Sequence, residues 1–384
     1  MPDTTHAHGG IITSEPDQTT KGGRREEKMK RDSRKSTAES SAGTYKYSTT
    51  AKAITALHMV TQRGMNIEMD VDGQQTGRTE INGIVFSLGC FSTAKYNDNA
   101  KILTDYLLTR FTEIAPFGAR ITPEDVYRVS SIEITLDEFM TMRGLTHKQN
   151  AREQFKEGAH ALFNVGLHFD YTISRKKGKK NVEDPAHVDG PMFICTEGFR
   201  TNPDEPLHNS RIIFTLNPKL LHYLCHRSIL PVDVRMFAID CRKNPHSFPI
   251  MRALTNYYHM NAKKKNEDIC ISVRSLLEAC PELPTVDEIR QDEAGQLSLR
   301  IRKPFERDLD ADELTYRLIK WRYCKRGGIE FTDEETQPAD YSFHDWLGLM
   351  IKFHLPDYPV ETAKRVRKLK AEEAQQENNA IIPA

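Results

Sequence analysis

Apolar side chains recur three and four positions apart at Ile102, Leu103, Tyr106, Leu107, Phe111 and Ile114. That spacing predicts an amphipathic helix over 99–115. An alternating stretch, Ser131–Ile134, predicts a short strand. The next segment, TLDEFMTMRGLTHKQNAREQFK from Thr135 to Lys156, reads as two helices around a tight turn. Thr135 with Glu138 fits a capping box, and Thr146 with Gln149 fits a second. Gly144 stands where the first helix would end in the left-handed conformation. On the second helix Phe155, Ala159 and Leu162 form an apolar side, while Lys148, Arg152 and Lys156 project together from the other. Apolar stretches at Gly166–Ile173 and Met192–Cys195, separated by RKKGKK and a polar insert over 174–191, predict a β-hairpin with a long basic tip. Arg211–Leu216 predicts a third strand.

The pattern then repeats less regularly. Ser247 and Pro249 fit a helix start, with Phe248, Ile250, Met251, Leu254, Tyr257 and Tyr258 as its apolar face. Ile269–Ser272 predicts a strand and Arg274–Ala279 a short helix stopped by Pro281. Thr285 with Glu288 opens another helix, and Pro304 begins a third with core residues Phe305, Leu309 and Leu314. Leu318–Cys324 and Ile329–Thr332 predict a hairpin with a basic turn. The run Trp346–Phe353 fits either a strand or a helix. The fold class expected is therefore α+β, with two units of helix, strand, helix pair and hairpin at 85–225 and 233–355. Residues 1–45 carry almost no apolar side chains and are expected to be a disordered basic tail; 360–384 form a second charged tail.

Composition changes this picture in one respect. The formal net charge is zero over 384 residues, so affinity for a polyanion must come from local patches. Residues 141–180 hold nine Lys and Arg against three Asp and Glu, and 21–35 hold eight against three. The seven cysteines (Cys90, Cys195, Cys225, Cys241, Cys270, Cys280, Cys324) include no C-x-x-C pair, which reads as free thiols in a reducing cytosol. No apolar run approaches the ~20 residues that span a bilayer, and no secretory signal is visible, so a cytoplasmic protein without a membrane partner is expected.

The duplicated order, with EITLDEFMTMRGLTHKQNAREQFKEGAHALFNVGLHFDY in the first half and FPIMRALTNYYHMN, ICISVRSLLEACPELPTVDEIR and RIRKPFERDLDADEL in the second, resembles the plasmid replication initiators of the iteron-binding, tandem winged-helix type. The resemblance covers roughly residues 85–355. It implies a tandem winged-helix fold, sequence-specific binding of double-stranded DNA at repeated origin sites, origin opening and recruitment of host replication proteins such as a helicase. It implies no nucleotide hydrolysis, and initiators of this type often exchange between monomer and dimer.

The residues themselves name the contacts. Gln149, Asn150 and Arg152 lie in the first turns of the second helix, where amides pair with adenine and guanidinium with guanine; Thr146, Lys148 and Lys156 suit phosphates. Arg175, Lys176, Lys177, Lys179 and Lys180 would give the hairpin tip salt-dependent, sequence-independent affinity. In the second half Arg302, Lys303 and Arg307 flank a helix start, and Lys325 and Arg326 a hairpin turn. Asp308, Asp310, Asp312 and Glu313 follow at once and would repel DNA if they faced it. An ordinary solvated helix face and a flexible basic loop are the plain alternatives. Gln296-Leu297-Ser298-Leu299 resembles the short peptide with which replication proteins bind the sliding clamp, and reads equally as a half-buried strand.

No catalytic residue, metal site or cofactor is expected. A phosphate-cradling G-x-x-x-x-G-K-[ST] loop is missing, and the one His-x-His, His6–His8, lies in the polar tail rather than on a strand. A transcriptional regulator is the nearest alternative within DNA binding, although no separate sensing domain is seen. A rolling-circle nuclease is the enzyme alternative.

Overall fold

The structure is a computed structural model that describes residues 45–359, apart from 50, 62, 70–71, 115–130, 178–179, 195–210, 226, 228, 262–268, 293–295, 333–334 and 357. The two expected tails lie outside the described residues, except that Tyr45 opens the first strand.

The fold is mixed α+β. β1 (Tyr45–Thr49) and α1 (Lys52–His58) precede an antiparallel meander of β2 (Asn66–Met69), β3 (Gln75–Ile81) and β4 (Ile84–Leu88). Asn82 and Gly83 both have positive φ, 57° and 75°, the two-residue turn whose twist suits a hairpin. α2 (Asp98–Ile114) follows, then β5 (Ser131–Thr135), α3 (Leu136–Arg143) and α4 (Lys148–Phe163). β6 (Val165–Lys177) and β7 (Lys180–Pro191) form the long hairpin, and β8 (Phe193–Ile194), β9 (Arg211–Leu216), α5 (Pro218–Cys225) and β10 (Ile229–Asp233) complete the first half.

The second half comprises α6 (Ser247–Asn261), β11 (Ile269–Ser272), α7 (Val273–Leu277), α8 (Val286–Asp292), α9 (Lys303–Leu314), β12 (Lys320–Cys324), α10 (Phe343–Leu347) and β13 (Met350–His354). The two halves share one connectivity. A helix, a strand, further helices and two more strands build a three-stranded antiparallel sheet in which the last strand is central: β5-β9-β8, then β11-β13-β12. β10, at the junction, pairs with β1 along five residues from Tyr45↔Asp233 to Thr49↔Ile229.

Four expected elements differ. The long hairpin does not close the β5 sheet. It joins the meander in a five-stranded sheet, β2-β3-β4-β6-β7, and its second strand absorbs the residues read as an insert. Ile329–Thr332 forms no strand; β12 instead pairs with β13, and the run Trp346–Phe353 divides between helix and strand. Of Gln296–Leu299, Leu297 is helical and Ser298 and Leu299 open a π turn (Ser298–Arg302) that leads into α9. Leu314, expected in the core, is 74% exposed at the end of α9.

α2 is buried on nearly every side, not on one stripe. Lys101, Thr104, Asp105 and Thr109 are as inaccessible as Leu103 and Leu107: β1 packs along the helix, and His58 of α1 and Arg252 of α6 reach its polar face at Asp105. Thr104 and Thr109 satisfy their hydroxyls on carbonyls of their own helix, at 2.9 and 2.7 Å. Asp105 has no such local solution. Its Oδ2 lies 2.9 Å from Arg252 Nε on α6 and 3.3 Å from His58 Nε2 on α1, and its Oδ1 accepts from Ser48 Oγ on β1 at 3.3 Å. Arg252 Nη2 also donates to the Thr49 carbonyl at 2.9 Å. Burial would push the Asp105 carboxyl up; Arg252, then His58, outweigh it and hold the carboxyl below its usual value. Burial keeps His58 below its ordinary 6.5, against the pull of Asp105, so the ring is neutral at pH 7.

Arg252→Ala leaves the Asp105 carboxylate buried without its main partner, and is expected to cost about 3–5 kcal/mol in urea unfolding. The acid side of the stability profile follows from the same groups. As pH falls below 6.5 the unfolded chain takes up a proton at His58 that the folded chain resists, so stability drops. A second loss begins below 3.8, where unfolded but not folded Asp105 protonates. Denaturant midpoints between pH 8 and pH 5 are expected to fall, and His58→Gln to flatten that slope.

Candidate nucleic-acid interface

The helix pair is set by its turn. Thr135 Oγ1 accepts from Glu138 N–H at 3.1 Å, starting α3. Gly144, φ 61°, ends it, and the Leu145 N–H closes on the Met140 carbonyl at 2.9 Å. The Glu138 carboxylate does not return to Thr135 but binds Tyr106 Oη and Arg110 on α2. Phe139 of α3 stacks on Phe155 of α4 with centroids 4.7 Å apart, and Phe155 meets Phe214 of β9. Arg143, buried, donates to the carbonyls of Phe237 and Ile239 and to Asn99 Oδ1, fixing the pair to α2 and the junction. The second expected capping box does not form: α4 starts at Lys148, Thr146 is one residue too early, and its first turn has no side-chain cap.

α4 buries Ala151, Phe155, Ala159 and Leu162 and turns a polar face outward. Thr146, Lys148, Gln149 and Lys156 are exposed; Asn150 and Arg152 are half-buried. The two amides are already oriented. Gln149 Nε2 donates to Glu153 Oε1 at 2.8 Å, which leaves its oxygen as the presented acceptor. Asn150 Oδ1 accepts from Gln154 Nε2 at 3.2 Å, which leaves its amide nitrogen as the presented donor. Glu157 is drawn back by Asn97 Nδ2 at 3.1 Å, so Glu153 is the one fully exposed carboxylate on α4.

The hairpin leaves α4 after a single residue, Asn164, whose carbonyl accepts from Gly89 N–H at 2.9 Å. β4 covers β6 only over Val165–His168, whereas β7 pairs with it up to Lys177↔Lys180. The ribbon therefore continues for about 30 Å past β4. At its base Phe169 and Tyr171 each meet Tyr223 of α5 at 4.9 Å. Arg175, Lys176, Lys177 and Lys180 lie on its last rungs, where the backbone alone is described; Lys179 lies outside the described residues.

The second half spends its cations differently. Arg302 is an internal side chain: Nε donates to Glu306 Oε1 at 2.9 Å, Nη1 to the Tyr341 carbonyl at 3.1 Å and Nη2 to the Pro338 carbonyl at 2.8 Å, with the guanidinium over Trp346. Arg307 is exposed but lies 2.8 Å from Asp308, and Lys325 is paired with Glu335 beside Phe331. Lys303 and Arg326 are exposed. Of the acidic run, Asp308 and Asp312 face inward. Asp308 accepts from His246 N–H at 2.7 Å, and burial pushes the Asp312 carboxyl well above its usual value. The structure thus places the first-half candidates it describes on the outward side of α4 and on the last rungs of the hairpin, and among the described residues the second half has no comparable strip.

Among the described residues no group of three or more His, Cys, Asp or Glu converges as for a metal ion, and no helix is long and apolar enough to cross a membrane. No family model matches the chain, and no curated protein matches it. Two crystal structures of domains 2 and 3 of RctB are similar over part of it. One covers 66% of this chain and 85% of the other at 12% identity and a TM-score of 0.31; the second covers 77% and 95% at 10% identity and 0.32. Scores at that level fall short of a common fold.

Arg302→Met removes the donors for two part-buried carbonyls and is expected to lower stability by about 1–3 kcal/mol in urea unfolding.

Proposed function

We propose that this chain is a sequence-specific double-stranded-DNA-binding protein of the replication-initiator kind, built on two winged-helix units, with α4 as its reading helix. The observation that carries the reading is the outward face of α4. A glycine-terminated helix pair holds Lys148, Gln149, Asn150, Arg152 and Lys156 on one side of a helix whose other side is core. The amides offer one acceptor and one donor, the complementary pair that adenine N6–H and N7 require. The ribbon, which leaves α4 after one residue, ends in a basic tip that suits the flanking phosphates. The repeated connectivity supports two DNA-facing units, in which Lys303, Arg307 and Arg326 are the second half's phosphate contacts. Two such units in one chain suit an initiator at repeated sites of a plasmid-type origin better than a regulator. A host helicase and a sliding clamp are candidate partners in this role, and no nuclease step is part of it.

The test is fluorescence anisotropy with a duplex selected by the full-length protein from a random pool. Arg152→Ala with Lys156→Ala is expected to weaken binding at least tenfold. The dependence on salt is expected to become shallower, by about one unit of log–log slope for each phosphate that the variant no longer neutralises. Unchanged affinity removes the reading. Supercoiled DNA with Mg²⁺ is expected to remain un-nicked; nicking would instead favour a nuclease.

A further inference from the structure

The outward face of α4 is cationic, yet it carries one exposed acid. Glu153 stands four positions after Gln149, so the two side chains share one side of the helix, a turn apart. Gln149 Nε2 donates to Glu153 Oε1 at 2.8 Å. A carboxylate only accepts, so this bond admits one orientation of the Gln149 amide. The nitrogen is turned in to the acid and the oxygen is turned out. Two acceptors are therefore left along this side, Gln149 Oε1 and Glu153 Oε2. Asn150, on the neighbouring side, is held by the buried Gln154 and presents its nitrogen. In the major groove an acceptor needs an amino hydrogen as its partner. Guanine shows N7 and O6 there and thymine O4, all acceptors; adenine sets N7 beside its amino group; cytosine shows the N4 amino group alone. A charged acceptor is opposed by the first three and matched by the fourth.

We infer, resting on the role of α4 as a DNA-reading helix, that Glu153 is a specificity-determining residue which accepts from the N4 amino group of a cytosine. Through its bond to Gln149 it also holds that amide with the oxygen toward the next base. Selection here works by exclusion as much as by attraction. The carboxylate repels phosphates and base edges that offer only acceptors, so a duplex with no amino group at that position is turned away. The cost falls on general affinity. Glu153 lies in sequence between Arg152 and Lys156 and offsets part of their attraction for phosphate. The plain alternative is an i,i+4 pair that only steadies the helix surface.

The experiment selects duplexes from a random pool with the full-length wild type and, separately, with Glu153→Gln. Competition anisotropy then ranks the four bases at the position where the two selections differ. The wild type is expected to prefer cytosine there by about tenfold, and Glu153→Gln to lose that preference. The variant is also expected to bind unrelated duplex more tightly, because a negative charge has left the phosphate-facing side. N4-methylcytosine carries a methyl group in place of the groove-facing hydrogen. Placed at that position, it is expected to weaken the wild type about tenfold and to leave the variant unchanged. The site is exposed, so the urea midpoint of the variant is expected to match the wild type. Identical base preferences in the two proteins overturn the role of Glu153 and leave DNA contact by α4 standing. A wild type that enriches no duplex overturns the reading role of α4, and the role of Glu153 with it.

Discussion

The Asp105 carboxylate holds three separate parts of this chain to one point. It sits on α2 of the first half, receives Arg252 from α6 of the second half, and touches His58 and Ser48 from the segment that precedes both. A carboxylate with no exposure cannot be left to water, so the partners are obligatory once the site is closed. The same guanidinium reaches the Thr49 carbonyl, at the end of β1, which pairs with β10 at the junction. Arg143 repeats the device from α3, capping two carbonyls at the end of the junction's 3₁₀ turn. The halves therefore meet through geometry-demanding polar bonds as well as through apolar burial. Polar bonds of this kind have few alternative arrangements, whereas a purely greasy seam can slide.

That docking makes the halves similar in connectivity and unlike in surface. In the first, α4 packs through Ala151, Phe155 and Leu162 and leaves its cations outward. In the second, the same chain position is a helix that points Asp308 and Asp312 into the protein and binds its leading arginine internally. Asp308 is the hub there, holding the loop at His246 through a backbone N–H at 2.7 Å and Arg307 through its guanidinium. Charge in the second half serves folding first.

Much of the helix layout was legible. The period of Ile102 to Phe111, the Thr135 cap, the left-handed Gly144 and the reciprocal Thr285–Glu288 box all appear as read. Strand partners were less legible, because pairing is set by distant residues. β6 alternates as well for one sheet as for another, and only the meander of β2 to β4 decides between them. That meander had a signal, Asn82-Gly83 between alternating runs, which marks a hairpin turn on its own. Lys101 and Asp105 looked like the wet side of an amphipathic helix, since nothing local announces that α1 and α6 cover them. Arg302 and Lys303 are neighbours with opposite fates for the same reason: one points at Trp346 and two carbonyls, the other at solvent.

The single residue between α4 and β6 has a mechanical consequence. Asn164 is pinned at both ends, by its side chain to the His160 carbonyl at 2.7 Å and by its own carbonyl to Gly89. A joint that short cannot swivel, so the angle between α4 and the β6–β7 ribbon is machined into the chain. Whatever surface α4 meets, the ribbon meets it at a set angle, as the two arms of a rigid bracket do.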